Sequence, residues 1–482
     1  MFEDSMHTDT LPQHVPLLID GQWIETPERV PACNPFTGRS DFSVCECSDE
    51  LLDRALAAAN AAKAAIAAMP ARDRAVLLRQ AAQGIRRHSA SIARTMAIET
   101  GKPVADGLTE VLRSAETFEL SAQEAVRIEG AQIPMDSSAI GAGKLGVSLR
   151  FPVGVVAAIT PFNAPVNLTA HKLGPAWAAG NAVVLKPSPQ SALTICRLAE
   201  VLLEAGIPAG WLQVVQGDRA AARLVAAPQV DFVSFTGSSR IGERVKATSG
   251  LKRVALELGG NGFTVVAADA PLEEAAQACA RNSMRLAGQS CISVQNVLVH
   301  RSLYEAFTAR VAEIVQALRV GDPLDERTEV GPVISAHAAR RIQGLIDGAV
   351  AAGAKRVCGG SHAGALVHPT VLADVPWHCE AMQGEVFGPV VLLAPFDDVR
   401  QVFDLVNAGP FGLQAGIYTQ SLPLAMQAVR TLRMGAVIVN GTSTWRSDQA
   451  PYGGVKASGI GREGPRFAIQ DMTEERFVVF NV

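Results

Sequence analysis

The sequence is poor in aromatic residues and has no excess of positive charge. Phe, Trp and Tyr make up 5% of its 482 residues, and the formal net charge is −4. A chain with this balance lacks the positive field that draws nucleic acid or anionic lipid surfaces. We therefore expect neither a nucleic-acid partner nor a membrane partner.

Long apolar runs are lacking as well. No stretch reaches the roughly 18 apolar residues that a membrane helix requires, and the Ala-rich segment 55–69 is interrupted by Asn60 and Lys63. The N-terminus has neither the basic nor the apolar segment of a secretory signal. These absences predict a cytoplasmic protein.

The eight cysteines are scattered along the chain. Cys45 and Cys47 form a close pair, but no second pair stands at the spacing of a zinc site. Scattered thiols in a long chain are typical of a reducing compartment. We predict reduced cysteines and no bound metal.

Apolar periodicity predicts a disordered tail over residues 1–16, followed by a short strand with an Asp-Gly turn at 16–23. Residues 50–128 read as several helices. Further on, helices separate buried strands, and such alternation implies a doubly wound parallel sheet. The four predicted strands are 153–159, 182–185, 212–215 and 231–235. A second α/β set is predicted from residue 257 to about residue 445, so the fold class is α/β.

Polar or glycine-rich turns follow three of these strands: Lys186-Pro187-Ser188, Gly217-Asp218 and Thr236-Gly237-Ser238-Ser239. Open α/β sheets bind ligands at the carboxyl ends of their strands, where a helix N-terminus can hold a phosphate. The G-x-G-x-x-G fingerprint is absent, which in an ordinary dinucleotide fold counts against a nucleotide.

Two short motifs carry candidate chemistry. Cys291 lies in Gly288-Gln289-Ser290-Cys291-Ile292-Ser293, and Glu257 precedes it in Leu256-Glu257-Leu258-Gly259-Gly260-Asn261. A cysteine beside a small-residue turn, with a carboxylate able to activate water, favours covalent thiol catalysis. In this order and spacing the two motifs resemble the aldehyde dehydrogenase superfamily.

The resemblance covers roughly residues 16 to 482 and includes Glu385-Val386-Phe387-Gly388-Pro389 and Pro451-Tyr452-Gly453-Gly454-Val455-Lys456. It implies an enzyme that oxidises an aldehyde to a carboxylic acid with NAD(P)+ through a cysteine thiohemiacetal and thioester. Cys291 is the implied nucleophile, Glu257 the base, and Asn163 the side-chain donor to the oxyanion. The presence of Glu257 argues against the coenzyme A-dependent branch, and members that serve as structural proteins lack the thiol.

The family binds NAD(P) without the usual fingerprint. By resemblance, Lys186 contacts the adenosine ribose, Ile241 packs the adenine, and Glu385 holds the nicotinamide ribose. The complete implied coenzyme set is Lys186, Ser188, Gly217, Phe235, Thr236, Gly237, Ser238, Ile241, Leu258, Glu385 and Phe387. Many NAD-preferring members have a glutamate three residues after the lysine, whereas this chain has Pro189 there. We therefore expect NAD or NADP, with a slight lean to NADP or dual use.

Four basic residues predict an anionic substrate. Arg285 matches the carboxylate-binding arginine of succinate-semialdehyde dehydrogenases, and Arg113 resembles a phosphate-binding arginine of non-phosphorylating glyceraldehyde-3-phosphate dehydrogenases. Arg446 lies in the loop that closes the aldehyde tunnel, and His171 stands where semialdehyde enzymes carry another arginine. A guanidinium meets carboxylate, phosphate or sulfonate through two hydrogen bonds. The expected substrate is a short aldehyde with a distal anion.

The alternative substrate is a neutral hydroxyaldehyde or an aromatic aldehyde, oxidised with broad specificity, with the arginines in structural ion pairs. Arg113 has Glu110 and Glu116 at helical spacing, which favours this alternative. The low aromatic content disfavours a tunnel lined by aromatic rings.

The family's plan implies a cofactor-binding domain over 16–128 and 151–256 and a catalytic domain over 257–445. It also implies oligomerisation segments at 129–150 and 470–482. The second segment ends in Phe477-Val478-Val479-Phe480-Asn481-Val482, an apolar edge that needs cover. We expect a homodimer or homotetramer.

Overall fold

The computed structural model describes residues 11–482, which form fifteen α-helices and twenty-three β-strands. The helices are α1 Asp49–Ala68, α2 Ala71–Arg87, α3 Ser89–Thr100, α4 Val104–Ala125, α5 Pro165–Ala179, α6 Ala192–Glu204, α7 Asp218–Ala226, α8 Ser239–Thr248, α9 Leu272–Met284, α10 Arg301–Gln316, α11 Ala336–Ala351, α12 Glu380–Gln383, α13 Val399–Ala408, α14 Leu422–Thr431 and α15 Pro465–Asp471. None of these helices is long and apolar enough to cross a bilayer.

The strands follow the chain in the same order. They are β1 His14–Val15, β2 Leu17–Ile19, β3 Gln22–Ile24, β4 Arg29–Cys33, β5 Ser40–Cys45, β6 Gln132–Ile133, β7 Lys144–Pro152, β8 Val155–Ile159, β9 Ala182–Lys186, β10 Leu212–Val214, β11 Phe232–Thr236, β12 Arg253–Glu257, β13 Gly262–Val266, β14 Val294–His300, β15 Lys355–Cys358, β16 His362–Ala363, β17 Leu366–Val367, β18 Thr370–Ala373, β19 Val390–Phe396, β20 Gln414–Tyr418, β21 Ala436–Val439, β22 Gly459–Ile460 and β23 Thr473–Asn481.

The first large sheet has eight strands in the order β22-β12-β11-β8-β9-β10-β2-β3. Its five central strands, from β12 to β10, are parallel. Every residue of β8 and β9 is buried, because helices cover both faces of such a sheet and both faces must be apolar. The predicted doubly wound parallel sheet is confirmed.

The second large sheet has seven strands in the order β15-β18-β19-β14-β13-β20-β21. All of its pairs are parallel except that of β15 with β18. Its side chains form a hydrophobic core separate from that of the first sheet. The predicted second α/β set is confirmed.

The amino-terminal prediction is confirmed only in part. The Asp-Gly turn joins β2 to β3, and both Asp20 (φ 52°) and Gly21 (φ 73°) are left-handed, as a tight hairpin turn requires. The expected tail is wrong for His14 and Val15, which form β1 and pair in parallel with β5. Val15 is fully buried, and its burial orders this segment. Residues 1–10 of the expected tail lie outside the described residues.

A small antiparallel sheet joins distant parts of the chain. β7 pairs with β23 along nine residues and with the short strand β6 on its other side. Leu149, Phe477, Val479 and Phe480 of this sheet each keep between 41% and 51% of their surface exposed. Within one chain this sheet therefore presents an uncovered apolar surface.

Candidate active site

The predicted catalytic residues come from both large sheets. Asn163 follows β8, and Glu257 is the last residue of β12, so both lie at the carboxyl edge of the first sheet. Cys291 stands three residues before β14 of the second sheet. Asn163 and Cys291 line one cavity of about 440 Å³, and the charge of Glu257 acts on the Cys291 thiol.

The Gly-Gly turn after Glu257 allows the two sheets to meet. A Cβ on Gly260 would collide with the carbonyl oxygen of Cys291, and one on Gly259 would lie 2.8 Å from Glu385 Oε2. The Gly260 N–H donates to Glu385 Oε1 at 3.1 Å. Position 260 has no space for a side chain because the Cys291 backbone lies too close, and a side chain at 259 would press on the Glu385 carboxylate.

A strained turn precedes Cys291. Leu286 (φ 57°), Ala287 (φ 51°) and Gly288 (φ 68°) are successive left-handed residues. This conformation costs a non-glycine residue on the order of 1–3 kcal/mol and is frequent at functional sites. The turn directs the chain into Gln289, whose carbonyl accepts a hydrogen bond from Asn163 Nδ2 at 2.9 Å.

The Cys291 thiol is held in an apolar setting. Burial raises its pKa to about 12. Its Sγ lies 3.1 Å from the Tyr452 hydroxyl, within hydrogen-bonding distance. Tyr452 is buried and forms an apolar cluster with Ile292 and Leu413. In the sequence Tyr452 is visible only as part of a motif, with no predicted role of its own.

Glu257 is buried, and neither carboxylate oxygen has a hydrogen-bond partner in residues 11–482. Burial, together with the charge of Glu463, raises the pKa of Glu257 well above its ordinary value. A buried carboxyl without a partner is uncommon. Neither oxygen is committed to a donor of the described residues.

Glu463 links two buried cations and was not predicted. Its carboxylate accepts from Lys172 Nζ at 3.2 Å and from Arg446 at 2.9 Å. Burial works against ionisation, but these two cations outweigh it and lower the pKa of Glu463 to about 2. The network places fixed positive charge near Glu257, which partly offsets the rise in its pKa.

Asp448, also missed from the sequence, joins two predicted substrate contacts. It accepts from Arg113 through both carboxylate oxygens, at 2.8 and 3.1 Å, and from His171 at 2.9 Å. Asn167 Nδ2 donates to it at 3.2 Å. The expected helical pairing of Arg113 with Glu110 does not form, since Glu110 instead pairs with Lys102.

The three predicted arginines line the same cavity as Cys291, whereas His171 is fully buried and is not part of the lining. Arg285 contacts Asp106 at 3.3 Å and keeps 46% of its side-chain surface exposed.

Arg446 stacks over the Tyr452 ring at 3.8 Å, and its Nε has no partner among the described residues. The ionisable lining, apart from Cys291 and the tyrosines, comprises four cations, Lys102, Arg113, Arg285 and Arg446, and two anions, Asp106 and Glu110.

The carboxyl edge of the first sheet also carries the predicted coenzyme residues. Lys186 ends β9, and its Nζ lies 3.1 Å from Asp218 Oδ1. Thr236 ends β11, and its hydroxyl is buried without a partner. Ser238 precedes α8, whose first N–H groups receive no side-chain cap. An unpartnered hydroxyl beside an uncapped helix N-terminus fits a pyrophosphate.

Further residues of the predicted coenzyme set surround this edge. Phe235 and Leu258 are buried in the first core, against which the half-buried Ile241 packs. The Ser188 hydroxyl caps the next turn, and Gly217 (φ 98°) precedes α7. A Cβ on Gly237 would meet the Phe235 ring at 2.6 Å, so this turn lies close against it.

Glu385 and Phe387 come from the second sheet's side. Burial raises the pKa of Glu385 to about 7, and the left-handed Phe387 (φ 49°) meets the Phe162 ring edge-on at 6.2 Å. A desolvated carboxylate beside the Gly259-Gly260 turn suits a ribose hydroxyl, so these residues fit a dinucleotide.

All eight cysteines are free, and residues 11–482 hold no group of three or more His, Cys, Asp or Glu arranged for a metal ion.

Together the fold and the site are typical of an α/β enzyme with a thiol beside the carboxyl edge of a parallel sheet. The chain belongs to the aldehyde dehydrogenase family, which it matches over residues 23–478. It is an NAD(P)-dependent aldehyde dehydrogenase. The 3-sulfolactaldehyde dehydrogenase of Priestia aryabhattai is 41% identical over 469 residues, covering 97% of this chain and 98% of that protein.

Two solved structures are similar over almost their whole length. Aldehyde dehydrogenase 21 from Physcomitrella patens, in complex with the reaction product succinate, has a TM-score of 0.95 and 36% identity, covering 98% of this chain and 99% of that one. The NADP-dependent glyceraldehyde-3-phosphate dehydrogenase from Bacillus halodurans C-125, complexed with NADP, has a TM-score of 0.94 and 34% identity. That match covers 97% of this chain and 99% of that one.

Proposed function

We propose that this enzyme oxidises a short aldehyde that carries a distal anionic group. The observation that carries the proposal is the single cavity lined by Cys291, Arg113, Arg285 and Arg446. An aldehyde carbon held at the thiol leaves the other end of a short substrate within this cationic lining. Guanidinium groups bind carboxylate, phosphonate or sulfonate through paired, charge-assisted hydrogen bonds.

In the proposed reaction the Cys291 thiolate adds to the carbonyl carbon and forms a thiohemiacetal. The carbonyl oxygen becomes an oxyanion that accepts hydrogen bonds from Asn163 Nδ2 and the Cys291 N–H. A bound nicotinamide coenzyme supplies the hydride acceptor. Loss of hydride from the carbon leaves a thioester on Cys291.

Glu257 completes the cycle as the general base. It takes a proton from water, the hydroxide adds to the thioester carbon, and the carboxylic acid leaves as the thiolate is restored. A raised pKa strengthens Glu257 as a base, since the best catalytic bases titrate near the working pH. Its two unpartnered oxygens support this role.

Arg285 is the best placed arginine to turn towards a substrate. Its contact with Asp106 is half-exposed, and exposed ion pairs contribute only about 0–1 kcal/mol. Exchanging Asp106 for a substrate anion therefore costs little. The named compounds of the three similar proteins support an anionic substrate, because sulfolactaldehyde, succinate and glyceraldehyde 3-phosphate each carry an acidic group away from the reacting carbon.

Both coenzymes are proposed to be used. Pro189 replaces the glutamate that would repel a 2′-phosphate, which favours NADP. The fold also brings a carboxylate to this site, because Asp218 lies beside Lys186. A carboxylate there disfavours the 2′-phosphate and argues for dual use rather than strict NADP preference.

The domain roles and the assembly belong to the same proposal. The first core supports a cofactor-binding domain (16–128 and 151–256), and the second supports a catalytic domain (257–445). The exposed apolar side chains of β7 and β23 support a second copy of the chain covering the small sheet in a homodimer or homotetramer.

The proposal is tested by kcat/KM for a panel of aldehydes, with NAD and NADP in turn. The anionic members are succinate semialdehyde, phosphonoacetaldehyde and sulfoacetaldehyde, and the neutral members are glycolaldehyde, propanal and benzaldehyde. A preference above about tenfold, or roughly 1.4 kcal/mol, for anionic members supports it. A flat profile or a neutral preference overturns it and favours the alternative, in which the arginines serve only their present carboxylate partners.

A further inference from the structure

We propose that the Tyr452 hydroxyl is a catalytic hydrogen-bond donor to the Cys291 sulfur, which it holds as the thiolate that attacks the aldehyde. The inference rests on the proposed role of Cys291 as nucleophile. The 3.1 Å separation of Cys291 Sγ and the Tyr452 hydroxyl is a direct contact with the reacting atom.

The contact lies on the wall of the cavity, and its tyrosine side is buried. The Tyr452 ring packs with Ile292 and Leu413 next to the partly exposed thiol. A hydrogen bond in such a setting is stronger than one in open solvent, because the local dielectric is low. The same apolar setting disfavours a bare thiolate, so a donor at this position has a large effect.

The direction of donation follows from the chemistry of the two groups. A thiolate has no proton to give, so once Cys291 ionises only the tyrosine can donate. Burial raises the pKa of Tyr452 well above its ordinary value, and the hydroxyl therefore keeps its proton while the thiol titrates. Arg446, 3.8 Å above the ring, adds positive charge that favours an anion nearby.

Four groups besides burial act on the thiol. Glu385 and Glu257 raise the pKa of Cys291, whereas the hydrogen bond from Tyr452 and the charge of Arg446 lower it. Burial is the largest influence, and Tyr452 is the largest one that opposes it. Removing the hydroxyl alone leaves both carboxylates and Arg446 in place, so the donor can be tested by itself.

The test is the rate at which iodoacetamide alkylates Cys291 in Tyr452→Phe, followed by mass spectrometry across a pH range without aldehyde or coenzyme. The variant keeps the ring and its packing. The profile is expected to move to higher pH, with a fall of about tenfold or more at pH 7, since a hydrogen bond to a charged group is lost. Tyr304→Phe is the matched control, because Tyr304 bonds to Leu393 and Asp374 instead.

A second variant tests the inference even where Tyr452→Phe folds poorly. Replacing Tyr452 by 3-fluorotyrosine makes the phenol a stronger donor and moves the profile to lower pH. Unchanged alkylation in a folded Tyr452→Phe protein, or in the fluorotyrosine protein, overturns the inference. Failure of the proposed function shows separately, as dehydrogenase activity that survives Cys291→Ala.

Discussion

Asp448 accepts two hydrogen bonds from Arg113 and one from His171. It thereby ties the loop between β21 and β22 (residues 440–458, the carboxyl-terminal loop) to helices α4 and α5. Removing the carboxylate leaves His171, which is buried, and Arg113, which keeps 31% of its side-chain surface exposed, without their acceptor, and a donor left unpaired costs about 1–3 kcal/mol. We expect Asp448→Asn to lower the free energy of unfolding by roughly this amount at pH 7. Urea denaturation measures it, with Asp404→Asn on the exposed face of α13 as the control.

The same pair has a defined pH dependence. His171 and Arg113 overcome the effect of burial and hold the pKa of Asp448 well below its ordinary value of about 3.9. A depressed folded-state pKa stabilises the protein above that ordinary value, and the stabilisation is lost as pH falls through the folded-state pKa. The gap between the parent and Asp448→Asn is therefore constant near neutrality and closes only in strong acid. A gap that closed near pH 6 would contradict this assignment.

Arg285→Leu is expected to raise KM for an anionic aldehyde by about tenfold to a hundredfold and to change KM for a neutral one little. The loss corresponds to a hydrogen-bonded ion pair with the substrate. Steady-state kinetics with sulfoacetaldehyde and propanal measure the two effects. Arg281→Leu is the matched control, since Arg281 pairs with Glu329 and does not line the cavity. Equal effects on both aldehydes would count against Arg285.

Glu463→Gln is expected to move the acid limb of the kcat profile to lower pH. The Glu463 charge helps to raise the pKa of Glu257, so its removal lets Glu257 lose its proton at lower pH. Lys172 and Arg446 are then left unpaired, which costs about 3–5 kcal/mol of stability. A kcat profile against pH measures the shift, with Glu474→Gln on the small sheet as the control. A shift to higher pH would refute the electrostatic account.

Asp218→Asn is expected to tighten NADP binding about two- to fivefold more than NAD binding. The effect is modest because the carboxylate is almost fully exposed and salt screens it. Fluorescence titration gives Kd for each coenzyme without turnover. Asp218→Glu keeps the charge and should leave the ratio of the two constants unchanged; an equal response to both coenzymes in Asp218→Asn would exclude repulsion as the cause.

The large sheets are predictable from the sequence because their central strands are apolar on both faces and helices separate them. β8 and β9 show this clearly, since every residue in them is buried. Strand β1 cannot be predicted in this way. Its two residues have no pattern of their own, and their order depends on pairing with Ser43 and Val44 of β5.

The site residues likewise divide into those that the sequence predicts and those that only the fold reveals. Cys291, Glu257 and Asn163 stand in local motifs, so the sequence places them without knowledge of the fold. Ion-pair partners cannot be found like this, because Arg113 has two glutamates at helical spacing and yet pairs with Asp448, which is 335 residues away. Tyr452 was visible within a motif, but its proximity to the thiol depends on how the carboxyl-terminal loop folds back.

The division of the site between two hydrophobic cores has a mechanical consequence. The proposed base Glu257 and oxyanion donor Asn163 lie at the edge of one sheet and the proposed nucleophile Cys291 at the edge of the other, so the distances between them depend on how the two sheets are positioned relative to each other. A small displacement of one sheet relative to the other would separate the Cys291 thiol from the Glu257 carboxylate, while every helix and strand stayed intact. Catalytic activity is therefore more sensitive to a small displacement between the two cores than any spectroscopic measure of secondary structure.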